Sequence, residues 1–366
     1  MVLGFLGAIL IAAITFAAYK INIDLTSRGI SSGFGYLLGP SAIPIDNPPI
    51  PYRPYENTYI RAFSVGVVNT LLVSLAGILC ATLLGGLLGI VRLSSHPLLK
   101  AVSKGYVELF RNVPVVLQLM FWYMAILHMP TVRQAVSLYD LAFISNRGLN
   151  LPWLHISGGP ISVSALGLAL AIPLVWIGVR RSRSLPAWVG RAVAMTTALL
   201  AAVAALTGLE VDLPRKSGFS IVGGVSITTE FATLLIGLTV YFSTYIGEIL
   251  RSSIAGISGG QWEGASSLGL SRWLTLRLVI IPQALRRMLP PLSNQYANLI
   301  KTSSLAVVIG FQDIVSITNT IINQTGQAIE SIILIATTYL IINLAISALL
   351  NIAEGWLPGL TSAQER

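Results

Sequence analysis

The stretch GQWEGASSLGLSRWLTLRLVIIPQALRR, residues 260–287, is polar and rich in arginine, although the whole chain is 54% hydrophobic. Within it, Trp262, Ala265, Leu268 and Gly269 recur at helical spacing, so we expect them to share the apolar face of a short helix. Gly269 also suits the position after a helix C-terminus, where a positive φ is common. The sequence therefore predicts a helix that ends at this glycine.

A second short helix is expected directly after the first. Ser271 is a natural N-cap for it, and Pro282 limits how far it runs without a kink. Together the two helices predict an L-shaped, largely amphipathic projection between membrane spans. Such a projection has two interpretations: it lies on the lipid surface, or it engages a partner in water.

Composition places the rest of the chain in a membrane. Only 10% of the 366 residues are charged, against about 25% in soluble domains, and the mean hydropathy is +0.77. One cysteine and three well-separated histidines exclude a disulfide scaffold and a cysteine-based metal site. We interpret the net charge of +9 as lysine and arginine retained in cytoplasmic loops rather than as a nucleic-acid surface.

The expected fold is an all-α polytopic membrane protein of about eight transmembrane helices, since each span needs about 20 mostly apolar residues. The first stretch starts at Met1 without a positive leader, so we expect no cleaved signal peptide. The Pro-rich segment 41–59 is expected to be an extended outer loop. The candidate spans are 2–19, 64–91, 113–129, 161–179, 188–207, 227–250, 290–312 and 328–350.

Orientation follows from the charges in the connections. The loops 92–112, 180–191 and 251–289 hold thirteen Lys and Arg residues. The alternate loops, which hold eight, are 20–63, 130–160, 208–226 and 313–327. By the positive-inside rule, this excess places the first set in the cytoplasm. Both termini and residues 260–287 are then also expected to be cytoplasmic.

The order of residues in the 260–287 stretch resembles the EAA loop of ABC importer permeases. The family pattern is E-A-A, three residues, G, nine residues, then I-x-L-P. Gly264 departs from the middle alanine, a change that weakens helix propensity by about 1 kcal/mol. The matching positions here are Glu263-Gly264-Ala265, Gly269 and Val279-Ile280-Ile281-Pro282.

Four further segments look like the polar amino-acid uptake subfamily of these permeases: 107–123, 241–254, 294–314 and 323–330. The resemblance implies the five-helix core of a type I ABC importer. The chain is also similar to the long, general L-amino-acid permeases of bacteria, which usually pair with a shorter permease. The implied organisation is an N-terminal helix and outer loop (1–63), first core helices (64–129), inserted loops and a helix pair (130–226), and core helices with the coupling loop 251–289 (227–366).

The resemblance also implies partners and roles. The chain itself is expected to be non-catalytic and to bind no cofactor, with ATP and Mg on a cytoplasmic ABC ATPase dimer. The other implied partners are a second permease subunit, different and shorter, and a periplasmic or extracytoplasmic amino-acid-binding protein, at the bacterial inner membrane. The implied ATPase-coupling residues are Gly260, Glu263, Ala265, Gly269, Arg272, Arg277 and Pro282. We expect Gly269→Asp to uncouple transport from ATP hydrolysis.

Polar residues at membrane depth predict a substrate path, because they are costly in lipid. In one interpretation they face a translocation path. In the other, the hydroxyl groups bond to their own helices and Glu248 pairs with Arg251 or another chain. The residues are Tyr241, Thr244, Tyr245 and Glu248 in one span, and Asn298, Lys301, Ser303 and Ser304 in the next.

Other functions find less support. The sequence has no G-x-x-x-x-G-K-[ST] motif and no clustered acid, base or metal set typical of an enzyme. An ion-coupled secondary transporter is the alternative, but two related halves are not evident. Gly85 and Gly89 within a span indicate a helix-packing face of small residues.

Overall fold

A computed structural model describes Phe16, Lys20 and residues 33–139, 141–156, 209–218 and 220–355. The predicted spans 161–179 and 188–207, and all of 2–19 except Phe16, lie outside these residues. Helices dominate the described part. They are α1 (Tyr59–Leu93), α2 (Pro97–Asn112), α3 (Val115–Leu127), α4 (Thr229–Ala255), α5 (Gly259–Ser267), α6 (Arg272–Thr275), α7 (Ile281–Thr302), α8 (Ile314–Thr325) and α9 (Ala328–Gly355).

Three of these helices, α1, α4 and α9, are long and apolar enough to cross a membrane. Two bent pairs of helices raise the number of candidate spans in the described residues to five. Helices thus cover the five predicted stretches that fall within the described residues. The total of about eight spans remains a prediction.

The first bent pair joins α2 to α3 at an angle of 102°. Pro114 disfavours the helical conformation at the preceding residue, and Val113 is accordingly extended. The Gln118 amide fixes the bend by donating to the carbonyl oxygens of Phe110 (2.7 Å) and Val113 (2.9 Å). The expectation of a loop over 92–112 is therefore wrong for most of its length, since amphipathic α2 occupies it.

Helices α1 and α4 cross in close contact. A Cβ atom added at Gly89 would lie 2.8 Å from the Gly247 carbonyl oxygen, and one added at Gly85 would lie 2.8 Å from Ile246 Cβ. The structure thus confirms the predicted packing face of small residues. At one end of the crossing, Glu248 pairs with Arg251 (2.5 Å), as one of the two interpretations predicted, and with Arg92, which was not predicted.

The second bent pair contains the break between Ile309, which ends a 3₁₀ segment (Ser303–Ile309), and α8. Gly310 ends that segment with a φ of +79°, and buried Asp313 caps α8 by accepting from the Ser316 amide at 2.8 Å. Residues 313–327 were expected to form an outer loop. That expectation is wrong for α8, whose buried face packs on α1.

Residues 125–232 form a separate compact unit containing short antiparallel strands, which the all-α prediction missed. Three strands of the four-stranded sheet lie between residues 136 and 151, and the fourth leads directly into α4. The strands are β1 (Val136–Leu138), β2 (Ala142–Ser145), β3 (Gly148–Leu151), β4 (Trp153–Ile156), β5 (Leu209–Asp212), β6 (Arg215–Ser217), β7 (Ser220–Val222) and β8 (Val225–Thr228), and the sheet order is β1-β2-β3-β8.

The other compact unit comprises Met1–Met124 and Thr233–Arg366. Within it, residues 41–58 contain no helix, as the sequence predicted, and a bridge joins Pro40 to Thr58. One apolar cluster of buried residues joins several elements of this unit. It includes Ile43 and Tyr52 from the extended segment together with side chains of α1, α7, α8 and α9.

Candidate functional site: a helical segment between two spans

The segment between α4 and α7 begins with helix α5, whose C-terminus has a defined cap. The Gly269 amide donates to the Ser266 carbonyl (2.9 Å), and the Leu270 amide donates to the Ala265 carbonyl (3.2 Å). This pair of bonds is the Schellman motif, which requires a left-handed residue, and Gly269 has a φ of +73°. The predicted end of the first helix is confirmed.

Helix α6 follows and runs into α7 through one π-helical turn, Leu276–Ile280. Ser271 Oγ accepts from the Leu274 amide at 3.4 Å, so the predicted N-cap is also confirmed. The π-helical turn ends just before Pro282, which has no N–H to continue the regular ladder. Pro282 thus lies in the first turn of α7, where proline is well tolerated.

Two side-chain contacts tie α5 and the end of α4 to α7. Gln283 Nε2 donates to Gln261 Oε1 at 2.9 Å, and Arg287 donates to the Gly256 carbonyl oxygen. Sequence reasoning missed both contacts, since neither pair stands at a helical spacing. These contacts attach α5 and the end of α4 to α7, so α5 can move together with α7 as a lever.

The solvent-exposed face of this segment carries both apolar and charged side chains. Leu268, Trp273 and Leu278 are 80%, 65% and 59% exposed. Beside them lies an open cavity of about 410 Å³ lined by Trp262, Ser266, Leu270, Arg272 and Thr275. Exposed apolar patches of this kind mark interaction sites.

Of the predicted apolar face of α5, Ala265 is buried and Trp262 is half-buried. The prediction was wrong for Leu268, because the helix ends at this residue and leaves its side chain in solvent. Half-buried Leu270, which follows the turn at Gly269, takes the inward position instead. Helical spacing does not predict that Leu270 replaces Leu268 on the buried side, because the helix ends and the chain turns at Gly269.

The remaining predicted coupling residues lie on the surface. Gly260, Glu263, Arg272 and Arg277 are exposed. Among the described residues, the closest ion pairs do not involve Glu263, Arg272 or Arg277. All are therefore available to a partner, and residues 259–287 carry a positive balance because they hold four arginines and one glutamate.

The polar residues predicted in α4 divide into two groups. Thr244 is buried and donates to the Tyr241 carbonyl oxygen at 2.7 Å, which supports the structural interpretation for this hydroxyl. Tyr241 and Tyr245 share a hydroxyl–hydroxyl hydrogen bond of 3.0 Å, and the Arg111 guanidinium lies 5.1 Å from the Tyr245 ring centre. The structure thus brings the two tyrosines together with Arg111 of α2, which was not among the predicted path residues.

The polar residues near the end of α7 also divide. Ser303 and Ser304 donate to the carbonyl oxygens of residues 300 and 301 on their own chain segment. In contrast, Asn294, Asn298 and Lys301 are exposed and recur at i, i+4 and i+7, so they form one polar stripe along α7. In a membrane such a stripe needs water or another subunit beside it.

The fold and this site define a multi-span membrane protein with a water-facing element carried between two spans. Residues 75–357 match the family described as the binding-protein-dependent transport system inner membrane component. The chain therefore belongs to this family, whose members are the non-catalytic, membrane-spanning subunits of ATP-driven transport systems.

Curated relatives support the same assignment over most of the chain. It is 43% identical over 339 residues to the putative amino-acid ABC transporter permease protein YhdX of Escherichia coli (strain K12), covering 90% of this chain and 86% of that one. It is 38% identical over 355 residues to the general L-amino acid transport system permease protein AapQ of Rhizobium johnstonii, covering 94% and 88%. It is 32% identical to the permease protein BztB of Rhodobacter capsulatus, covering 90% and 86%.

Proposed function

We propose that this inner-membrane subunit carries L-amino acids inward as part of an ATP-driven importer with broad selectivity. The names of the relatives at 43% and 38% identity support the substrate class. Family membership favours this function over the ion-coupled secondary transporter. The full assembly would contain a cytoplasmic ATPase dimer that binds ATP and Mg, a second and shorter permease, and an extracytoplasmic amino-acid-binding protein.

Residues 259–287, which we call the coupling segment, would dock on the ATPase. The observation that carries this proposal is the combination of a rigid attachment with an exposed apolar face. Gln283 of α7 holds α5 through Gln261, and Arg287 of α7 holds the chain just after α4, while Leu268 and Trp273 remain in solvent. A partner that moves on nucleotide binding would push this face, and the contacts would carry the motion to α7.

In this proposal Gly269 fixes the angle between α5 and α6, and Ala265 packs α5 inward. Glu263 is the polar anchor, and Arg272 and Arg277 contact acidic groups of the ATPase. Gly260 lies in the first turn of α5, and Pro282 lies in the first turn of α7. The cavity beside Trp262 and Leu270 has room for a large side chain of the partner, because its volume of about 410 Å³ exceeds that of any single side chain.

The stripe of Asn298 and Lys301 would face the translocation path or the second permease. The support is its exposure on a helix of a membrane protein, where unpaired polar groups are costly in lipid. We expect Lys301→Gln to reduce amino-acid uptake while leaving basal ATP hydrolysis intact. The buried hydroxyls of Thr244 and Ser303 would serve helix packing, so their alanine variants should transport normally.

The proposed function can be tested by purifying the complex through this chain and measuring ATP hydrolysis in nanodiscs. The assay would use the binding protein with and without a mixture of the twenty L-amino acids. We expect an ATPase to co-purify and the loaded binding protein to raise its rate. If an ATPase co-purifies but amino acids have no effect, the substrate class is wrong; if none co-purifies, coupling itself is contradicted.

A further inference from the structure

The segment 33–58, which we call the outer strap, precedes the residues that match the family and is anchored at both of its ends. At its start, the Gly33 amide donates to Glu330 Oε1 (2.8 Å) and the Tyr36 hydroxyl lies 2.9 Å from Ser331 Oγ. At its end, the amide of Tyr59, the first residue of α1, donates to the Gly39 carbonyl oxygen of the strap at 3.1 Å. The strap is therefore a fixed part of the helical unit.

Apolar burial holds the middle of the strap. Ile43, Ile45 and Tyr52 are buried and share one apolar cluster with Ile314 and Ile317 of α8. The Tyr52 hydroxyl donates to the Ile43 carbonyl oxygen at 2.9 Å, which closes the strap on itself. Side chains alternate between buried and exposed from residue 43 to residue 46, so one face points inward and the other outward.

One residue clasps the strap to the break between the 3₁₀ segment and α8. Gln312 Oε1 accepts from the Asp46 amide at 3.0 Å, and Gln312 Nε2 donates to the Pro44 carbonyl oxygen at 2.8 Å. The Gln312 carbonyl oxygen in turn accepts from Asn69 Nδ2 of α1 at 2.8 Å. A force on the strap therefore acts directly on the point where the span bends.

The outward face of the strap is rigid. Tyr55 has a φ of +66° and Asn47 a φ of +46°, and non-glycine residues held there are strained and occur often at functional sites. The Tyr55 amide is fixed to the Ser41 carbonyl oxygen at 2.7 Å, yet the Tyr55 ring is 76% exposed. Six prolines stiffen the strap: Pro40, Pro44, Pro48, Pro49, Pro51 and Pro54.

The composition of this face indicates what contacts it. Asp46, Arg53 and Glu56 are exposed, and Arg53 pairs with Glu56 at 3.5 Å, so the face suits water rather than lipid. Permanent subunit interfaces are more apolar than this, whereas transient ones combine a polar rim with aromatic anchors. A preorganised tyrosine is a common anchor in such interfaces. The fit is to a soluble protein that docks and releases.

We propose that the outward face of the outer strap, centred on Tyr55, docks the amino-acid-binding protein, and that Gln312 passes this contact to the break before α8. The inference rests on the proposed function, which places the strap outside the membrane. It adds the docking residues and the route by which docking reaches a span.

The test uses the complete complex in nanodiscs and titrates binding protein loaded from a mixture of the twenty L-amino acids. Tyr55→Ala should raise the concentration for half-maximal ATPase stimulation about tenfold, the effect of a typical interface anchor, with the maximal rate unchanged. Tyr55→Phe should restore most of the affinity, because it keeps the ring. Tyr139→Ala is the matched control, since Tyr139 is also exposed (96%) with a positive φ and lies outside the strap.

Gln312→Ala tests the second part of the proposal. It should lower the maximal stimulated rate at least twofold while basal hydrolysis and the half-maximal concentration stay unchanged. Wild-type behaviour of both Tyr55→Ala and Gln312→Ala would overturn the inference, as would a shift produced by Tyr139→Ala alone. Because wild-type stimulation is measured in the same titration, its absence would instead contradict the proposed function.

Discussion

The coupling segment and the outer strap are both irregular stretches flanking long helices, but they are held in opposite ways. The coupling segment buries Ala265 and Ile280 but leaves the large apolar side chains of Leu268 and Trp273 in solvent. The strap buries its large side chains Ile43 and Tyr52 in an apolar cluster. This difference supports the proposal that a permanent partner covers the coupling segment, whereas the strap is held by contacts within the chain.

The largest effect should come from removing the strap's buried ring. Tyr52→Ala creates a cavity and should destabilise the packing of the strap against the helices by about 3–5 kcal/mol, as for other buried aromatic residues. Hydrogen exchange at the Ser41 and Tyr55 amides should accelerate more than a hundredfold, because both depend on the closed strap. Tyr52→Phe is the control and should cost only about 1 kcal/mol, the value of one hydrogen bond. Unchanged exchange in Tyr52→Ala would show that the strap is held elsewhere.

A smaller free-energy change with a large functional effect is expected at Gly269. Valine at a φ of +73° costs about 1–2 kcal/mol, so α5 and α6 should change their angle. ATP hydrolysis stimulated by loaded binding protein should fall close to the basal rate. Gly269→Asn, which tolerates this conformation, should stay coupled, and normal stimulation of Gly269→Val would contradict the role of the cap. Comparing Gly269→Asp with Gly269→Val separates the effect of a negative charge from that of backbone strain, because aspartate adds a carboxylate and strains the backbone less than valine does.

The contact between Gln283 and Gln261 should contribute less, since both side chains are accessible to water. Replacing either by alanine should lower the thermal stability of the coupling segment by about 0.5–1 kcal/mol. The double variant should cost no more than one single variant. Additive losses in this double-mutant cycle would show that the hydrogen bond does not hold α5 to α7.

The smallest effect is expected at Gly264, and it has the opposite sign. A Cβ atom added there meets no atom within 4 Å, so Gly264→Ala fits without strain. It should stabilise α5 by about 0.5 kcal/mol and leave coupling intact. A loss of stimulated hydrolysis in this variant would mean that the partner approaches the α5 backbone at this position.

The same two regions show what the sequence could and could not predict. In the coupling segment, Gly269 and Ser271 correctly predicted a helix end and a helix start. Gly269 adopts the positive φ that the helix end requires, and Ser271 accepts a hydrogen bond from a backbone amide of the first turn. Residues 41–59 were expected to form an extended outer loop, and the sequence analysis made no prediction of their burial. The strap is clasped by a hydrogen bond between Gln312 and Asp46, which are 266 positions apart in the sequence. Local periodicity does not predict such a contact.

The helical elements show a similar limit. Long apolar runs predicted α1, α4 and α9, but helix α2 was taken as a loop because its amphipathic pattern lowers its hydropathy. The strands β1 to β8 are three or four residues long, too short to show a period of two. The exposed stripe of α7 was predicted only in part, since burial depends on neighbours that the sequence does not name.

The most direct test is a photo-crosslink from the coupling segment to the ATPase. Cys80 is the single cysteine of the sequence. Once it is replaced by serine, Leu268→Cys and Tyr55→Cys each give a variant with a single cysteine for labelling. A benzophenone maleimide at Leu268 should capture the ATPase subunit, and the same probe at Tyr55 should not. Capture of the ATPase from Tyr55, or only lipid from Leu268, would contradict a coupling role for residues 259–287.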